Sequence, residues 1–497
     1  MEFSQQVSSS IDQVIQSVPL IKVELVMALG FLMSIAGTLF FDKIWKHSSF
    51  YICLVSILGA FLVLFSQQSS TEQGFFGMLS LGKISYFGRM LIMFSLFISS
   101  IFIQQHFEHK TFKKRKGDIY SILLAAGIGM NFLTMTEHWL MVFIAIEMIS
   151  ISSYILVGYF SENKAQSEAS MKYALFGSAC SAVMLYGLSL IYGLTGNLNF
   201  LSPQHMQGLT AAPEIMVSIS LLFIFTGIGF KLSFIPFHLW APDVYEGAPT
   251  PVTAFLSTVP KIAVLIFFAK LASTWLSSPF YFGELTFLFL GIVSMVTMLA
   301  GNLIALRQTD IKRMMAYSSI GHTGFLLMAI IGYSHEHMDI LLFYLLAYTI
   351  MNLAFFAFID VLEQKLGSTA MSAYAGLGKQ LPILFTCFSF VGISLIGIPP
   401  TAGFVAKLLV FSSIFEQYQI LNEPMYLGLL IVGALTSVIS LFYYFKVPLQ
   451  AFLRNNAEVQ VQDAPSSKAM LYIGIILTIM LLVFGIFPSL VLDFFTS

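Results

Sequence analysis

Long apolar runs along the whole chain limit most strongly what this sequence can fold into. Of its 497 residues, 57% are hydrophobic and only 10% are charged, whereas soluble proteins carry about 25% charged residues. A protein in water cannot cover so much apolar surface, so lipid must surround most of this chain. Within lipid each run has to satisfy its own backbone hydrogen bonds, and this predicts transmembrane helices.

Fourteen apolar runs are long enough to cross a bilayer, near 20–41, 50–67, 85–105, 118–136, 139–160, 171–194, 214–240, 250–276, 285–305, 314–333, 338–362, 381–415, 425–447 and 469–488. The run 381–415 is too long for one simple span, and we interpret it as a single broken helix. The sequence therefore predicts an all-α polytopic membrane protein with one transmembrane domain over residues 1–497. The first 18 residues show no pattern that we can assign. No basic segment precedes the first run, so we expect no cleaved signal peptide.

Charges in the predicted loops orient the chain. With the N-terminus outside, the inner loops carry almost all loop lysines and arginines: Lys43, Lys46, Lys110, Lys113, Lys114, Arg115, Lys116, Lys164, Arg307, Lys312, Arg313, Lys365, Lys379, Lys446, Arg454 and Lys468. The outer segments carry only Lys83. The positive-inside rule then predicts that both termini lie on the outer side of the membrane. Four further basic residues lie within a turn or two of a membrane face, where snorkelling explains them: Lys22, Arg89, Lys172 and Lys270.

Four charged residues lie deep inside apolar runs, namely Glu147, Lys231, Lys261 and Lys407. A charge at bilayer depth costs about 3 kcal/mol or more, and such residues usually face a bundle interior or a water-filled path. They mark ion or proton routes. A net charge of only -1 argues against a nucleic-acid partner.

Helix-breaking signals accompany two of these lysines. Lys231 precedes Phe234-Ile235-Pro236, and Lys407 follows Gly397-Ile398-Pro399-Pro400. Broken helices near the membrane midplane are typical of transport sites. The separation of the two breaks suggests two inverted repeats of about five helices each, over 118–276 and 285–447, with flanking helices in 20–105 and 469–488.

Each buried charge also has a structural interpretation. Glu147 can exchange a proton, or it can pair helices through a hydrogen bond. Lys231 can release and regain a proton, or it can cap the negative end of a broken helix. Lys261 is either a relay or a buried pairing partner, and Lys407 is the counterpart of Lys231 in the second half.

Two further residues are candidates for proton transfer. His322 lies mid-helix, and its imidazole can pass a proton through its two nitrogens, although many buried histidines are simply hydrogen-bonded. Lys172 can pair with Glu147 across neighbouring helices, or it can lie at the interface.

The sequence excludes several other chemistries. Cys53, Cys180 and Cys387 are far apart and lack metal-ligand spacing, which excludes an iron–sulfur or zinc site built by this chain alone. There is no P-loop, no dinucleotide fingerprint and no phosphorylatable aspartate motif. The energy for transport would therefore have to come from an ion gradient or a partner.

Three segments carry a specific family resemblance: residues 231–253, residues 308–322, and residues 397–404 with Lys407. Together they closely resemble the antiporter-like membrane subunits of respiratory complex I, and the likeness covers nearly the whole chain. Val244-Tyr245-Glu246-Gly247-Ala248-Pro249 and the lysine at 407 resemble the N-type branch of that family.

The resemblance implies roles for the candidate residues. Glu147 resembles the glutamate of the fifth helix, with Lys172 as its candidate partner, and Lys231 resembles the central lysine of the broken seventh helix. Lys261 and His322 resemble the residues on helices eight and ten that form the connecting proton relay. Lys407 resembles the outlet lysine of the broken twelfth helix.

The resemblance also implies a setting. Such a subunit moves protons outward in a bacterial inner (plasma) membrane, within a complex that oxidises NADH and reduces quinone. FMN, iron–sulfur clusters and quinone would be held by other subunits, with none bound by this chain. Its neighbours would be an M-type antiporter-like subunit on one side and small K- and J-type subunits on the other. The rival interpretations are a cation/proton antiporter subunit of the Mrp type and a membrane scaffold that does not transport.

Overall fold

The computed structural model describes residues 2–41, 44–67, 72–108, 117–160, 163–276, 280–332, 338–454 and 468–496. Within these ranges the chain is almost entirely helical. The one sheet found there is a short antiparallel hairpin, β1 (Gln73–Gly74) and β2 (Leu79–Ser80). Several basic residues used to orient the chain lie outside the described residues: Lys43, Lys110, Lys113, Lys114, Arg115 and Lys116.

The helices follow one another with short connections. The N-terminal group comprises α1 (Glu2–Ser17), α2 (Lys22–Ala36), α3 (Ser48–Phe65) and α4 (Lys83–Phe107). The first central group comprises α5 (Asp118–Met135), α6 (Trp139–Gly158), α7 (Lys164–Thr195), α8 (Pro203–Ala211), α9 (Glu214–Leu232), α10 (Trp240–Gly247) and α11 (Thr250–Leu276). The remaining helices are α12 (Tyr281–Ala305), α13 (Ile311–Ile331), α14 (Met338–Leu366), α15 (Pro382–Ile396), α16 (Ala402–Leu421), α17 (Pro424–Tyr444), α18 (Lys446–Pro448), α19 (Lys468–Ile486) and α20 (Ser489–Thr496).

The predicted number of membrane spans is confirmed, because 14 helices in the described ranges are long and apolar enough to cross a bilayer. The central helices are α11, α13 and α14. Every residue in the apolar stretch of α11 is buried, and α11 packs against α4, α5, α13 and α14. The most polar buried side chains of the bundle are therefore kept from lipid by a ring of apolar helices.

The two predicted helix breaks are also confirmed. The first separates α9 from α10, and the second divides the run 381–415 into α15 and α16. At each break one residue has a left-handed backbone, Ser233 with φ 58° and Gly397 with φ 89°. In both places the following amide donates back to a carbonyl of the ended helix, Phe234 to Gly229 at 3.2 Å and Ile398 to Ile393 at 3.2 Å. This is the Schellman arrangement, which stops a helix while satisfying its last carbonyls.

At the second break, the close approach of α15 and α16 depends on a glycine. A Cβ on Gly403, in the first turn of α16, would lie 1.8 Å from the carbonyl oxygen of Ser394 in α15. Only a residue without a side chain lets the two half-helices meet at this distance. The Gly403 amide then donates to the hydroxyl of Ser394 at 3.2 Å.

Candidate functional site

Lys231 lies in the last turn of α9, beside the first break, in a pocket of aromatic rings. Its Nζ atom is 5.5 Å from the ring centre of Tyr154, 5.7 Å from that of Tyr173 and 5.6 Å from that of Phe230. The side chain is 4% exposed, and Nζ has no hydrogen-bond partner within the described part of the chain. The ammonium is thus surrounded by ring faces at cation–π distance. We call Tyr154, Tyr173 and Phe230 the aromatic cage.

Packing behind the cage fixes its rings. Trp240 stacks on Tyr173 with ring centres 4.3 Å apart, and its indole nitrogen donates to the carbonyl of Phe230 at 2.9 Å. Trp240 is the first residue of α10, so the cage joins both sides of the break.

Glu147 lies midway along α6 and interacts electrostatically with Lys231. One of its carboxylate oxygens is buried and lacks a hydrogen bond to any described residue. The side chain is only partly buried, because it belongs to a helical stripe whose other members are exposed, namely Leu140, Ile144, Ile151 and Ile155. Glu147 therefore lies between the polar interior and an outward face of the bundle.

The predicted pairing of Lys172 with Glu147 is wrong. The Lys172 ammonium lies 2.8 Å from Glu168 and 2.8 Å from Asp243, and the side chain is 39% exposed. Asp243 also binds Arg313 at 2.8 Å. Partial burial raises the pKa of the Asp243 carboxyl, but the two cations outweigh this effect and hold the pKa below its ordinary value. The cluster is therefore ionised at neutral pH and is lost only when the pH falls through that lowered pKa.

Lys261 lies at the centre of the bundle on α11 and is 2% exposed. Its ammonium donates to three oxygens of α13: the Ser319 hydroxyl at 2.7 Å, the Ser319 carbonyl at 3.1 Å and the Thr323 hydroxyl at 2.9 Å. All three acceptors are neutral, and within the described ranges no carboxylate pairs with Lys261. Thr323 in turn donates to the carbonyl of Leu232 at 3.0 Å. One hydroxyl therefore links the broken end of α9 to Lys261.

His322 lies on α13 as well, and the hydroxyl of Tyr344 orients its ring. Its Nδ1 atom is 3.0 Å from the hydroxyl of Tyr344 on α14. It lies within electrostatic range of both Lys261 and Lys407. The Phe325 ring lies 6.3 Å from the imidazole and 4.6 Å below the Lys407 ammonium. His322 thus lies near both lysines.

The side chain of Lys407 extends towards the second break. Its ammonium donates to the carbonyl of Ile396, the last residue of α15, at 2.8 Å and to the Ser437 hydroxyl at 3.4 Å. The side chain is 5% exposed. Freed carbonyls at a broken helix end are suited to hold a cation. The structure therefore gathers Lys231, Lys261, His322 and Lys407 into one polar axis along α13.

Three polar clusters were missed by the sequence interpretation. Arg89 does not snorkel, since it is fully buried and binds Glu24 through one nitrogen at 2.8 and 3.1 Å. His106 of α4 contacts Asp360 of α14, and both are buried. The sequence did contain signals for the Arg89–Glu24 pair, namely a carboxylate inside the apolar run 20–41 and a guanidinium inside the apolar run 85–105.

The third cluster surrounds Lys270. Its ammonium lies 3.4 Å from the carbonyls of Thr134, Met135 and Thr136, at the end of α5. Together with Glu137 it lines a cavity of about 480 Å³. A cation at the carbonyl end of a helix offsets the helix dipole, which explains this position without snorkelling.

The described residues offer no group of three or more His, Cys, Asp or Glu side chains that could hold a metal ion. Cys53, Cys180 and Cys387 are free thiols.

Comparison with known proteins identifies the family of this chain. The sequence profile of the family described as "NADH:quinone oxidoreductase/Mrp antiporter, TM" matches residues 136–440. The chain is 36% identical over 439 residues to NADH-quinone oxidoreductase subunit N 2 of Chloroherpeton thalassium, an alignment that covers 87% of this chain and 84% of that protein.

Solved structures agree with this assignment. A chain of respiratory complex I from Thermus thermophilus superimposes with a TM-score of 0.77 at 27% identity, covering 95% of this chain and 98% of that one. A chain of the Mrp complex from Dietzia has a TM-score of 0.78 over 95% of both chains, but at 17% identity it supports the fold alone. This chain therefore belongs to the NADH:quinone oxidoreductase/Mrp antiporter family of membrane proteins, within its subunit N branch.

Proposed function

We propose that this chain is the proton-translocating subunit N of the membrane arm of an NADH:quinone oxidoreductase. It is a non-redox subunit of a translocase that couples electron transfer from NADH to quinone with outward proton pumping. The observation that carries the proposal is the burial of three lysines at 4%, 2% and 5% exposure, Lys231, Lys261 and Lys407, inside a bundle of membrane-spanning helices. Ammonium groups at that depth are costly, and they mark proton routes.

The first part of the axis is an electrostatically coupled pair. The Glu147 carboxylate and the Lys231 ammonium carry opposite charges, and the aromatic cage provides no hydrogen-bond acceptor for the ammonium. A change in the distance or charge of Glu147 then changes whether Lys231 holds its proton. Lys172 is assigned to proton transfer on the same side, where its ion pair with Asp243 sets the charge beside α10.

The centre and outlet of the axis use the remaining residues. Lys261 and His322 exchange the proton at the centre, and Lys407 releases it beside the second break. Two ammonium groups repel each other by about 4 kcal/mol at 4 Å in an effective dielectric of 20, and by less at greater separation. Protonation of one lysine therefore favours proton release from the next, and the titrations of the three are coupled.

An open apolar face also bears on the neighbours of this chain. The stripe around Glu147 is apolar and open in the isolated chain, which suits a face covered by another membrane subunit. We assign an M-type antiporter-like subunit to one side and small K- and J-type subunits to the other. NADH, FMN, iron–sulfur clusters and quinone are used in other subunits.

The orientation and internal symmetry belong to the proposal as well. We place the chain in a bacterial inner membrane with both termini on the periplasmic side, in accord with the positive-inside rule. Residues 118–276 and 285–447 form two inverted repeats, flanked by the helices in 20–105 and 469–488. The matching Schellman ends at the two breaks support this division. An Mrp-type antiporter remains the alternative and has the weaker support, since that likeness is confined to the fold.

The test removes charges from the axis in the assembled complex. We expect Lys231→Ala and Glu147→Ala to leave the complex assembled and to abolish most NADH-driven proton pumping in proteoliposomes. Matched controls are Lys164→Ala and Glu214→Ala, because both side chains are exposed at helix ends. Full pumping by Lys231→Ala would refute the proposed role, and sodium-driven transport without electron transfer would favour the Mrp alternative.

A further inference from the structure

A face of α11 below Lys261 is polar although it is wholly buried. Thr250, Thr253, Ser257 and Lys261 follow one another at helical spacing and therefore share one side of the helix. The three hydroxyl residues are each 0% exposed. Apolar residues would pack here without the cost of burying a polar group. The presence of three buried hydroxyls at these positions therefore indicates a function. We call these three residues the hydroxyl face.

One end of the hydroxyl face meets a carboxylate near the surface. The Thr250 hydroxyl donates to Glu363, close to the end of α14. Glu363 is only partly buried, so its carboxylate is within reach of water. Thr250 is the first residue of α11, at the face where α13 begins and where Arg313 and Lys172 hold Asp243. This is the side that the loop charges assign to the inside of the cell.

The other end of the hydroxyl face approaches Lys261 through Tyr348 and Ser319. The phenol of Tyr348 lies 3.0 Å from the Ser257 carbonyl and 2.7 Å from the Ser319 hydroxyl. The Ser319 hydroxyl is 2.7 Å from the Lys261 ammonium. Three steps lack a direct hydrogen bond. Two are the turns from Thr250 to Thr253 and from Thr253 to Ser257, where neighbouring Cβ atoms lie about 5–6 Å apart, and the third leads from the Ser257 hydroxyl to the Tyr348 phenol, which donates to the Ser257 carbonyl instead. One water can bridge a gap of that size.

A second observation marks the same region. The hydroxyl of Tyr245 on α10 is fully buried and makes no well-formed hydrogen bond in the described ranges, although the Ser319 side chain lies near it. It lies near Tyr348, whose phenol contacts both Ser257 and Ser319. A buried, unpaired hydroxyl is unusual and calls for an additional partner such as an internal water. Water at this position would lie beside the link between the hydroxyl face and Lys261.

We propose that Glu363 and the hydroxyl face form the entrance through which the pumped proton reaches Lys261 from the inner side. This inference rests on the proposed function. The Glu363 carboxylate takes a proton from water and passes it to the hydroxyl chain. Each hydroxyl turns away from the carbonyl that it bonds at rest, accepts a proton on its oxygen and gives its own to the next acceptor, directly or through a bridging water. Tyr348 and Ser319 complete the route, so no net charge stays behind and the neutral amine of Lys261 becomes the ammonium. Glu147 and Lys231 then act as the electrostatic gate for the release of that proton towards Lys407.

Two of the three hydroxyls also donate to a backbone carbonyl, Thr253 to Tyr245 at 3.1 Å and Ser257 to Ala254 at 2.9 Å. These bonds use the hydroxyl proton and leave the oxygen lone pairs free to accept. Thr258 has the same kind of bond, to Ala254 at 2.8 Å, but lies off the hydroxyl face. It therefore provides a matched control for packing and burial.

The experiment uses the whole complex in proteoliposomes and measures protons pumped per NADH oxidised, together with the NADH oxidation rate after the gradient is collapsed. Thr253→Val, Tyr348→Phe and Glu363→Gln are each expected to slow pumping about tenfold, which corresponds to about 1.4 kcal/mol on the entry step. Oxidation by the uncoupled complex should stay unchanged. Thr258→Val should pump normally, and Thr253→Ser should restore pumping because it restores the hydroxyl.

The outcomes separate the two proposals. Normal pumping by the three entrance variants, with pumping lost in Lys231→Ala, overturns the entrance and leaves the proposed function standing. Normal pumping in Lys231→Ala as well overturns both. If Thr258→Val or Thr253→Ser is as impaired as Thr253→Val, the effect is one of packing and the entrance is refuted.

Discussion

At the scale of single residues, the three buried lysines differ in what surrounds the ammonium. Lys261 and Lys407 donate to hydroxyl and carbonyl oxygens, whereas Lys231 faces the rings of the aromatic cage. A cation–π contact contributes about 0.5–2 kcal/mol, and it leaves the ammonium free to move. Lys231 is thus the buried lysine whose ammonium lacks a hydrogen-bond acceptor among the described residues, with the carboxylate of Glu147 as an opposite charge, and this arrangement suits a gate.

The cage gives a prediction at this scale. Tyr154→Leu removes a ring face from Lys231 and is expected to reduce proton pumping, whereas Tyr154→Phe keeps the ring and should pump nearly as well as the parent. Assembly of the complex and uncoupled NADH oxidation should be the same in both. Equal pumping by the two variants would show that the ring face at position 154 does not support the charge on Lys231.

At the scale of secondary-structure elements, the two broken helices carry the site. Each ends in a left-handed residue and turns its last carbonyls towards the axis. At the second break the position of α16, and with it Lys407, depends on the contact between Gly403 and Ser394.

A methyl group at that contact should be disruptive. Gly403→Ala places a Cβ 1.8 Å from the Ser394 carbonyl oxygen, so α16 must shift and Lys407 loses its bond to Ile396. We expect lower thermal stability of the purified complex and weaker pumping. Gly193→Ala is the control, because a Cβ at Gly193 meets nothing within 4 Å. Unchanged stability and pumping in Gly403→Ala would contradict this account of the break.

The same elements show how far the sequence could lead. Length and hydropathy predicted the spans, and prolines beside buried lysines predicted both breaks, because these signals are local. The short elements α1, α8, α10 and α20 were not predicted, since they are outside the long apolar runs or at their ends. The partner of Lys172 was predicted wrongly because it depends on which helices face each other, and a single sequence does not encode that in any local pattern.

At the scale of the whole molecule, α13 organises the bundle around the polar axis. Its residues contact Lys261 directly and approach Lys407 through Phe325. Outer helices present exposed apolar side chains such as Leu62, Val55 and Phe442, whereas α11 and α13 are almost completely enclosed. The bundle thus keeps its buried charges away from lipid and close to one another, and this closeness allows one protonation to influence the next.

The central claim is that protons cross this chain through its buried lysines, and Lys261 is the residue at which the parts of the axis meet. The most direct measurement is the number of protons pumped per NADH oxidised by the complex carrying Lys261→Met, which keeps the length of the side chain and removes the charge. We predict an assembled complex that still oxidises NADH when uncoupled and pumps far fewer protons. A ratio equal to that of the parent complex would contradict the account.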